Sequence, residues 1–252
     1  MSNTTNAERK TLILTGASRG IGHARVKRFA SAGWRVLTCS RHAFPRNCPW
    51  DMGPEDHIQV DLADPTGTIR AIAEMRERLK DEGSRLNALV NNAGISPKRP
   101  DGSRLGAVDT TLIDWQRVFQ VNFFSPIILA RGLIKELEKA KGAIVNVTSI
   151  AGSRVHPFAG AAYATSKAAL MALTREMAAD FGAREIRVNA ISPGEIDTAI
   201  LSTGTGKLVD KQIPMHRLGE PEEVAKAIYF LCTDQSSYVN GAELHINGGQ
   251  HV

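Results

Sequence analysis

Thr15-Gly16-Ala17-Ser18-Arg19-Gly20-Ile21-Gly22 is the stretch on which the fold is decided. It follows the aliphatic run 12–15 without a break, and a pattern of helical period begins directly after it, so the order is strand, glycine turn, helix. Gly16 permits a sharp exit from the strand, Gly20 lets the backbone approach a pyrophosphate, and Gly22 lets the helix pack on the sheet. Unpaired amides at the helix start then face an anion. Three glycines alone would equally suit a structural turn with no ligand.

Outward from this turn, short aliphatic runs alternate with segments of helical period. The runs 12–15, 35–39, 57–60, 88–91, 143–147, 187–191 and 243–246 are seven candidate strands, most too apolar to keep one face wet. Helical spacing covers 24–32, 65–82, 112–139, 162–181 and 221–233. The expected fold is therefore α/β, a single-domain Rossmann-type doubly wound sheet of about seven parallel strands with helices on both faces. Asp64-Pro65 and Glu220-Pro221 read as helix starts, and Gly33, Gly83 and Gly182 as helix ends calling for positive φ. No repeat or linker divides 1–252; residues 1–10 read as a polar tail, and 41–56 and 195–219 as irregular surface segments, the latter a lid over substrate.

Composition narrows the class. The 252 residues are 42% hydrophobic and 23% charged, which excludes disordered and collagen-like chains. A net charge of +5 is scattered rather than gathered into an arm, so nucleic acid is not an expected partner. Cys39, Cys48 and Cys232 fit neither a disulfide framework nor a metal spacing, and no metal is expected. The start carries no apolar signal stretch and no span of 18 apolar residues occurs, so the expectation is a cytoplasmic protein off the membrane.

Which dinucleotide the turn would take is a question of charge. NAD presents a ribose 2′-hydroxyl that suits a carboxylate after the second strand, and NADP a 2′-phosphate that suits a cation. The second strand ends Cys39-Ser40-Arg41 without an acid, and Arg19 stands inside the glycine turn. Two guanidiniums and a hydroxyl favour NADP (NADPH) over NAD. The plain alternative is that both arginines are solvated surface residues.

Tyr163 and Lys167 open a long apolar helix four residues apart, which places phenol and ammonium on one face. A fixed cation nearby favours the phenolate and brings a group of pKa near 10 toward use at neutral pH. Ser149 follows the strand run 143–147 at its carboxyl end, where open parallel sheets bind ligands, and it could equally be a cap. Asn91-Asn92-Ala93-Gly94 ends the fourth strand in the same way. Asn122 is an amide among Val121, Phe123 and Phe124 and needs partners, as a satisfied helix-kink residue would have.

Taken in order, Gly16, Gly20-Ile21-Gly22, Asp61-Leu62, Asn91 to Gly94, Asn122, Ser149, Tyr163 with Lys167, and Pro193-Gly194 closely resemble the short-chain dehydrogenase/reductase family over nearly the whole chain. The resemblance implies that Tyr163 is the general acid of carbonyl reduction and the base of the reverse reaction. It implies that Lys167 holds the nicotinamide ribose and lowers the tyrosine pKa, that Ser149 orients the carbonyl, and that Asn122 holds a water of a proton relay. It further implies cofactor contacts from Gly16, Ser18, Arg19, Gly20, Ile21, Gly22, Arg41, Asp61, Leu62, Asn92, Ala93, Gly94, Tyr163, Lys167, Pro193, Gly194, Ile196 and Thr198. Asp61 has a competing reading as a helix cap, and Pro193-Gly194 as a simple turn.

Three departures stand out. Ser149 and Tyr163 are fourteen positions apart where thirteen is common, the 41–56 stretch reads as a loop where relatives often carry a short helix, and Glu195 follows Pro193-Gly194 where an apolar residue is frequent. The tail from Ile213 through Ile246-Asn247-Gly248-Gly249 resembles the 3-oxoacyl-[acyl-carrier-protein] reductase branch, which also includes reductases of sugars, polyols and ketones. The resulting expectation is an NADP-dependent oxidoreductase moving hydride between a nicotinamide cofactor and a small-molecule carbonyl or secondary alcohol, with a 3-oxoacyl thioester among its candidates. The alternatives are a nucleotide-binding regulatory protein of the same fold and an NAD-dependent sugar or polyol dehydrogenase. An acyl carrier protein could dock on Lys139, Lys141 and Arg184, which could also be ordinary helix-end cations. The resemblance and the apolar faces of 112–137 and 162–179 suggest a homotetramer.

Overall fold

The computed structural model describes residues 9–17, 21–44, 53–80, 84–198 and 205–252. The glycine turn's Ser18, Arg19 and Gly20 lie outside the described residues, as do Gly83 and Cys48.

Seven parallel strands form one sheet: β1 (Lys10–Thr15), β2 (Arg35–Ser40), β3 (His57–Gln59), β4 (Arg85–Asn91), β5 (Ala143–Val147), β6 (Arg187–Pro193) and β7 (Glu243–Ile246). Their order is β3-β2-β1-β4-β5-β6-β7. The chain winds outward from β1 in one direction and then crosses back to β4, so its winding reverses at β1/β4. Ligands of such sheets bind beyond the carboxyl ends of the strands at that reversal.

Alternation along the strands sorts the two faces. Ile13, Leu89, Ile144 and Val188 point to one side, under Met75 and Leu79 of α2 (Pro65–Lys80), Leu129 and Leu133 of α4 (Ser125–Ala140), and Met177 of α5 (Ala161–Gly182). Leu12, Leu14, Val90 and Val145 point to the other side. They pack under Val26 and Phe29 of α1 (Ile21–Ser31) and Val224, Ile228 and Leu231 of α7 (Pro221–Cys232). Each such side chain contributes roughly 1.5–3 kcal/mol by leaving water. Glu220 and Glu223 form a capping box at the start of α7, with Pro221 in its first turn.

Several expectations are corrected. The helix expected over 112–139 is α3 (Leu112–Phe119), a π-helical stretch Gln120–Phe124, and then α4. Asn122 sits in the π stretch, the kink that such a buried amide signals. Gly182 is not a positive-φ helix end; α5 runs to it, and Glu185 takes φ 57° instead. The 195–219 segment contains α6 (Thr205–Gln212), whose short span and flanking glycines hid its period. Lys139, Lys141 and Arg184 precede β5 and β6, so they lie at the amino ends of those strands, opposite the carboxyl ends. Lys141 pairs with Glu185 at 2.8 Å and Arg184 with Glu138 at 3.2 Å, so they are not free cations beside the active face. No helix among the described residues is long and apolar enough to cross a membrane.

Candidate active site

A cavity of about 530 Å³ opens over the carboxyl ends of the strands, a size in the range of small-molecule and cofactor sites. It runs from Ser40 at the end of β2 and Arg41 and His42 beyond it, past Asp61 and Leu62 after β3, to Ser149, Tyr163 and Lys167. Gly16, Gly22, Asn92, Ala93, Gly94, Pro193, Gly194, Ile196 and Thr198 also line it. Ile21 begins α1; Ser18, Arg19 and Gly20 fall outside the described residues.

The glycine end is held tightly. Gly16 has φ +69°, and a Cβ there would come within 2.8 Å of Ala93 Cα; a Cβ at Gly22 would meet the Gly16 carbonyl at 2.4 Å. Asn92 Nδ2 donates to the carbonyls of Thr15 and Gly16 at 3.0 and 2.7 Å. Thr15 Oγ1 accepts from the amides of Asn92 and Ala93 at 3.0 and 3.1 Å, so side chains stitch the ends of β1 and β4 into one rim. Thr15, though it opens the glycine-turn stretch, was not among the expected site residues, because a threonine ending a strand carries no distinctive signal of its own. Farther along, Gln59 Nε2 donates to the Arg41 carbonyl at 3.0 Å and His57 bonds the His42 carbonyl at 2.9 Å, which holds the backbone of the segment bearing Arg41. Asp61 lines the cavity and its Oδ1 accepts from Ala63 N at 3.0 Å in a local turn, while the start of α2 is capped by Asp64, whose Oδ1 accepts from Thr66 N at 2.9 Å, so Asp61 is not the helix cap.

The reacting end is built by β5 and α5. Ser149 leaves β5 and caps a 3₁₀ turn, Ile150–Gly152, its Oγ accepting from Ala151 N at 3.2 Å. Tyr163 stands in the first turn of α5 with the Ser149 hydroxyl in hydrogen-bonding reach. Lys167 is buried and its Nζ donates to the Val147 carbonyl at 2.7 Å. Asn122 Oδ1 accepts from Ile95 N at 2.8 Å, and its Nδ2 donates to the Ile95 carbonyl and to Ser166 Oγ, both at 3.0 Å. Asn122 thus joins the π stretch, the end of β4 and α5.

The electrostatics differ from the sequence expectation. Burial pushes the Tyr163 phenol above its ordinary value; the Ser149 hydroxyl works against this, and the Glu195 carboxylate adds to it. Burial, with help from the Arg25 guanidinium, brings Lys167 down to about 8. Lys167 Nζ stands 5.7 Å from the Tyr163 ring centre and is committed to Val147, so it is not what sets the phenol here. Glu195 faces the cavity and bonds His156 Nε2 at 2.6 Å. His156 had no sequence signal; it lies between the 3₁₀ turn and α5, within the fourteen positions that separate Ser149 from Tyr163.

These residues fit a dinucleotide. The glycine rim leaves only hydrogen where a backbone must come close, and a Cβ at Gly94 would crowd Lys167 Nζ at 3.3 Å. Arg41, Asp61 and Leu62 would hold the adenosine end, and Lys167 and Tyr163 the nicotinamide ribose.

The family model described as enoyl-(acyl carrier protein) reductase matches residues 16–251. Protein FixR of Bradyrhizobium diazoefficiens is 58% identical over 246 residues, spanning 97% of this chain and 88% of that one. A 3-oxoacyl-[acyl-carrier-protein] reductase of Aquifex aeolicus is 31% identical over 254 residues, spanning 95% and 96% of the two chains. The crystal structure of a Brucella ovis oxidoreductase of the short chain dehydrogenase/reductase family, in complex with a partially ordered NAD, aligns with TM-score 0.84 and 66% identity over 95% of this chain and 100% of that one.

Proposed function

The chain belongs to the short-chain dehydrogenase/reductase family of nicotinamide-dependent oxidoreductases, and from that premise we propose that it is an NADP-preferring reductase of small ketones, or dehydrogenase of the matching secondary alcohols. The observation carrying this reading is the meeting of Ser149, Tyr163 and Lys167 in one cavity whose far end is lined by Arg41. The bound cofactor supplies the hydride, for which the protein has no group of its own.

The side chains do the rest. Two hydroxyls, Ser149 and Tyr163, converge where negative charge would develop on a carbonyl oxygen, and they stabilise that charge more than they stabilise the ground state. Burial keeps the phenolic proton on Tyr163, which suits a proton donor in reduction. Lys167 offers its ammonium to ribose hydroxyls, and Asn122, through Ser166 and Ile95, fixes the helix that carries both.

For the cofactor, β2 ends without a carboxylate, and Arg41 on its tethered segment favours a 2′-phosphate. Docking of an acyl carrier protein is supported by the similarity to 3-oxoacyl-[acyl-carrier-protein] reductases, but not through Lys141 and Arg184, which are paired and lie away from the cavity mouth. Assembly as a homotetramer is supported by exposed Leu112, Ile113, Phe124 and Val155, and sedimentation showing only monomer would count against it.

The test is a ketone panel with NADPH and NADH. We expect NADPH to give the higher kcat/KM, Arg41→Ala to narrow the ratio roughly tenfold, and Tyr163→Phe to lower kcat about 10²- to 10⁴-fold. Equal use of both cofactors by the unaltered protein refutes the preference. Unchanged kcat in Tyr163→Phe refutes the chemistry.

A further inference from the structure

A second polar pair, Glu195 with His156, meets the same cavity through Glu195. Glu195 and His156 are nearly enclosed, their side chains 12% and 9% exposed, and Nε2 lies 2.6 Å from Oε1. The backbone on both sides is fixed. Glu195 carries the carbonyl that accepts from Gly219 N at 2.9 Å, just past the end of β6, and His156 Nδ1 accepts from the amide of Phe158, itself a cavity residue, at 3.3 Å. A backbone amide can only donate, so Nδ1 is the lone-pair nitrogen and Nε2 carries the proton that Glu195 accepts. The carboxylate oxygen of Glu195 is therefore the acceptor of that bond.

Neighbouring cations do not neutralise it by contact. Lys98 Nζ donates to the Phe158 carbonyl and Lys167 Nζ to the Val147 carbonyl. Glu195 still lines the cavity, and its carboxylate is close enough to Tyr163 to bear on the phenol.

We infer that Glu195, braced by His156, is a specificity-determining residue that accepts a hydrogen bond from a hydroxyl or ammonium carried within a bond or two of the substrate's reacting carbon. The substrate class is then a small α-hydroxy or α-amino ketone, or the matching vicinal alcohol, and not an acyl chain. An acyl chain laid over Glu195 would strip water from a carboxylate and return no donor. A hydroxyl or ammonium replaces that water, and an ammonium also offsets the charge that adds to the effect of burial on the phenol. This inference rests on the reductase reading for the position of the reacting carbon.

Three ketones of equal heavy-atom count separate the cases: hydroxyacetone, aminoacetone and butan-2-one, each with saturating NADPH. We expect kcat/KM for one or both donor-bearing ketones to exceed that for butan-2-one at least tenfold. Glu195→Gln should cut the ammonium advantage to less than threefold, and Glu195→Asp, which keeps the charge, should retain more of it than Gln does. Butan-2-one serving as well as the others, or a ranking unchanged in Glu195→Gln, overturns the inference. Should no ketone turn over, the reductase reading fails, and binding of 1-aminopropan-2-ol to the NADP-loaded protein decides the present one. Affinity at least tenfold weaker in Glu195→Gln upholds it, and equal affinity overturns it.

Discussion

Lys167 Nζ donates to the carbonyl oxygen of Val147 across 2.7 Å, so the ammonium under the cavity is tied to the last residue of β5. The contact gives the cation one neutral partner in an enclosed place, and burial brings its pKa from 10.5 to about 8.

A bend in the pH profile follows. The ammonium that would grip the ribose is lost as pH rises through about 8, so kcat/KM for NADPH should fall above that pH, and Lys167→Met should be weaker throughout and lack the bend. Stability moves the other way. The folded value lies below the unfolded one, so between about 8 and 10.5 the unfolded chain binds more protons and stability rises with pH. Urea titrations at pH 7 and 9.5 check this second half, and a decline attributable to Lys167 would contradict it.

Asn122→Leu should destabilise the fold by about 2–4 kcal/mol, since it removes the partner of the part-buried amide and carbonyl of Ile95 and the bond to Ser166. Denaturant unfolding measures it. A loss under 1 kcal/mol would mean that the π stretch holds itself without the amide.

Much of this architecture could be read from the chain. Strand cores such as Ile13 and Val145 are aliphatic on both faces, which only a sheet covered on both sides explains, and Pro65 and Pro221 marked helix starts directly. The site residues at strand ends were legible for the same reason: Asn92 and Ser149 interrupt the apolar runs at a definite end. The π stretch was not, because its apolar spacing around Asn122 continues that of the flanking helices. His156 could not be found either, since its partner Glu195 is 39 residues away and only the fold brings them together.

Asn92→Ala should loosen the glycine rim. It removes donors to two carbonyls, at Thr15 and Gly16, and leaves those acceptors short of partners, at about 1–3 kcal/mol of stability. Because Gly16 sits in the cofactor turn, NADPH affinity should fall with it. Calorimetric binding that is unchanged would separate the rim from the cofactor site.

Arg25→Met should stabilise the protein. Arg25 lies on the inner face of α1, 0% exposed, and among the described residues none of its three guanidinium nitrogens has a hydrogen-bond partner. Burial lowers its pKa to about 9, with the nearby Cys232 thiol acting slightly the other way. A buried charge without a partner is costly, and an apolar side chain of similar reach removes the cost, so a gain of about 1–4 kcal/mol is expected at pH 7. The folded value lies below the ordinary arginine value of the unfolded chain, so unaltered protein regains stability as pH climbs past about 9, and its deficit against Arg25→Met should shrink there. Arg25 is also one of the two influences that lower Lys167, and removing it should move the bend in the NADPH profile to higher pH. A variant less stable than the unaltered protein at pH 7 would mean that the guanidinium has an anionic partner in solution, and both halves of this argument would fall together.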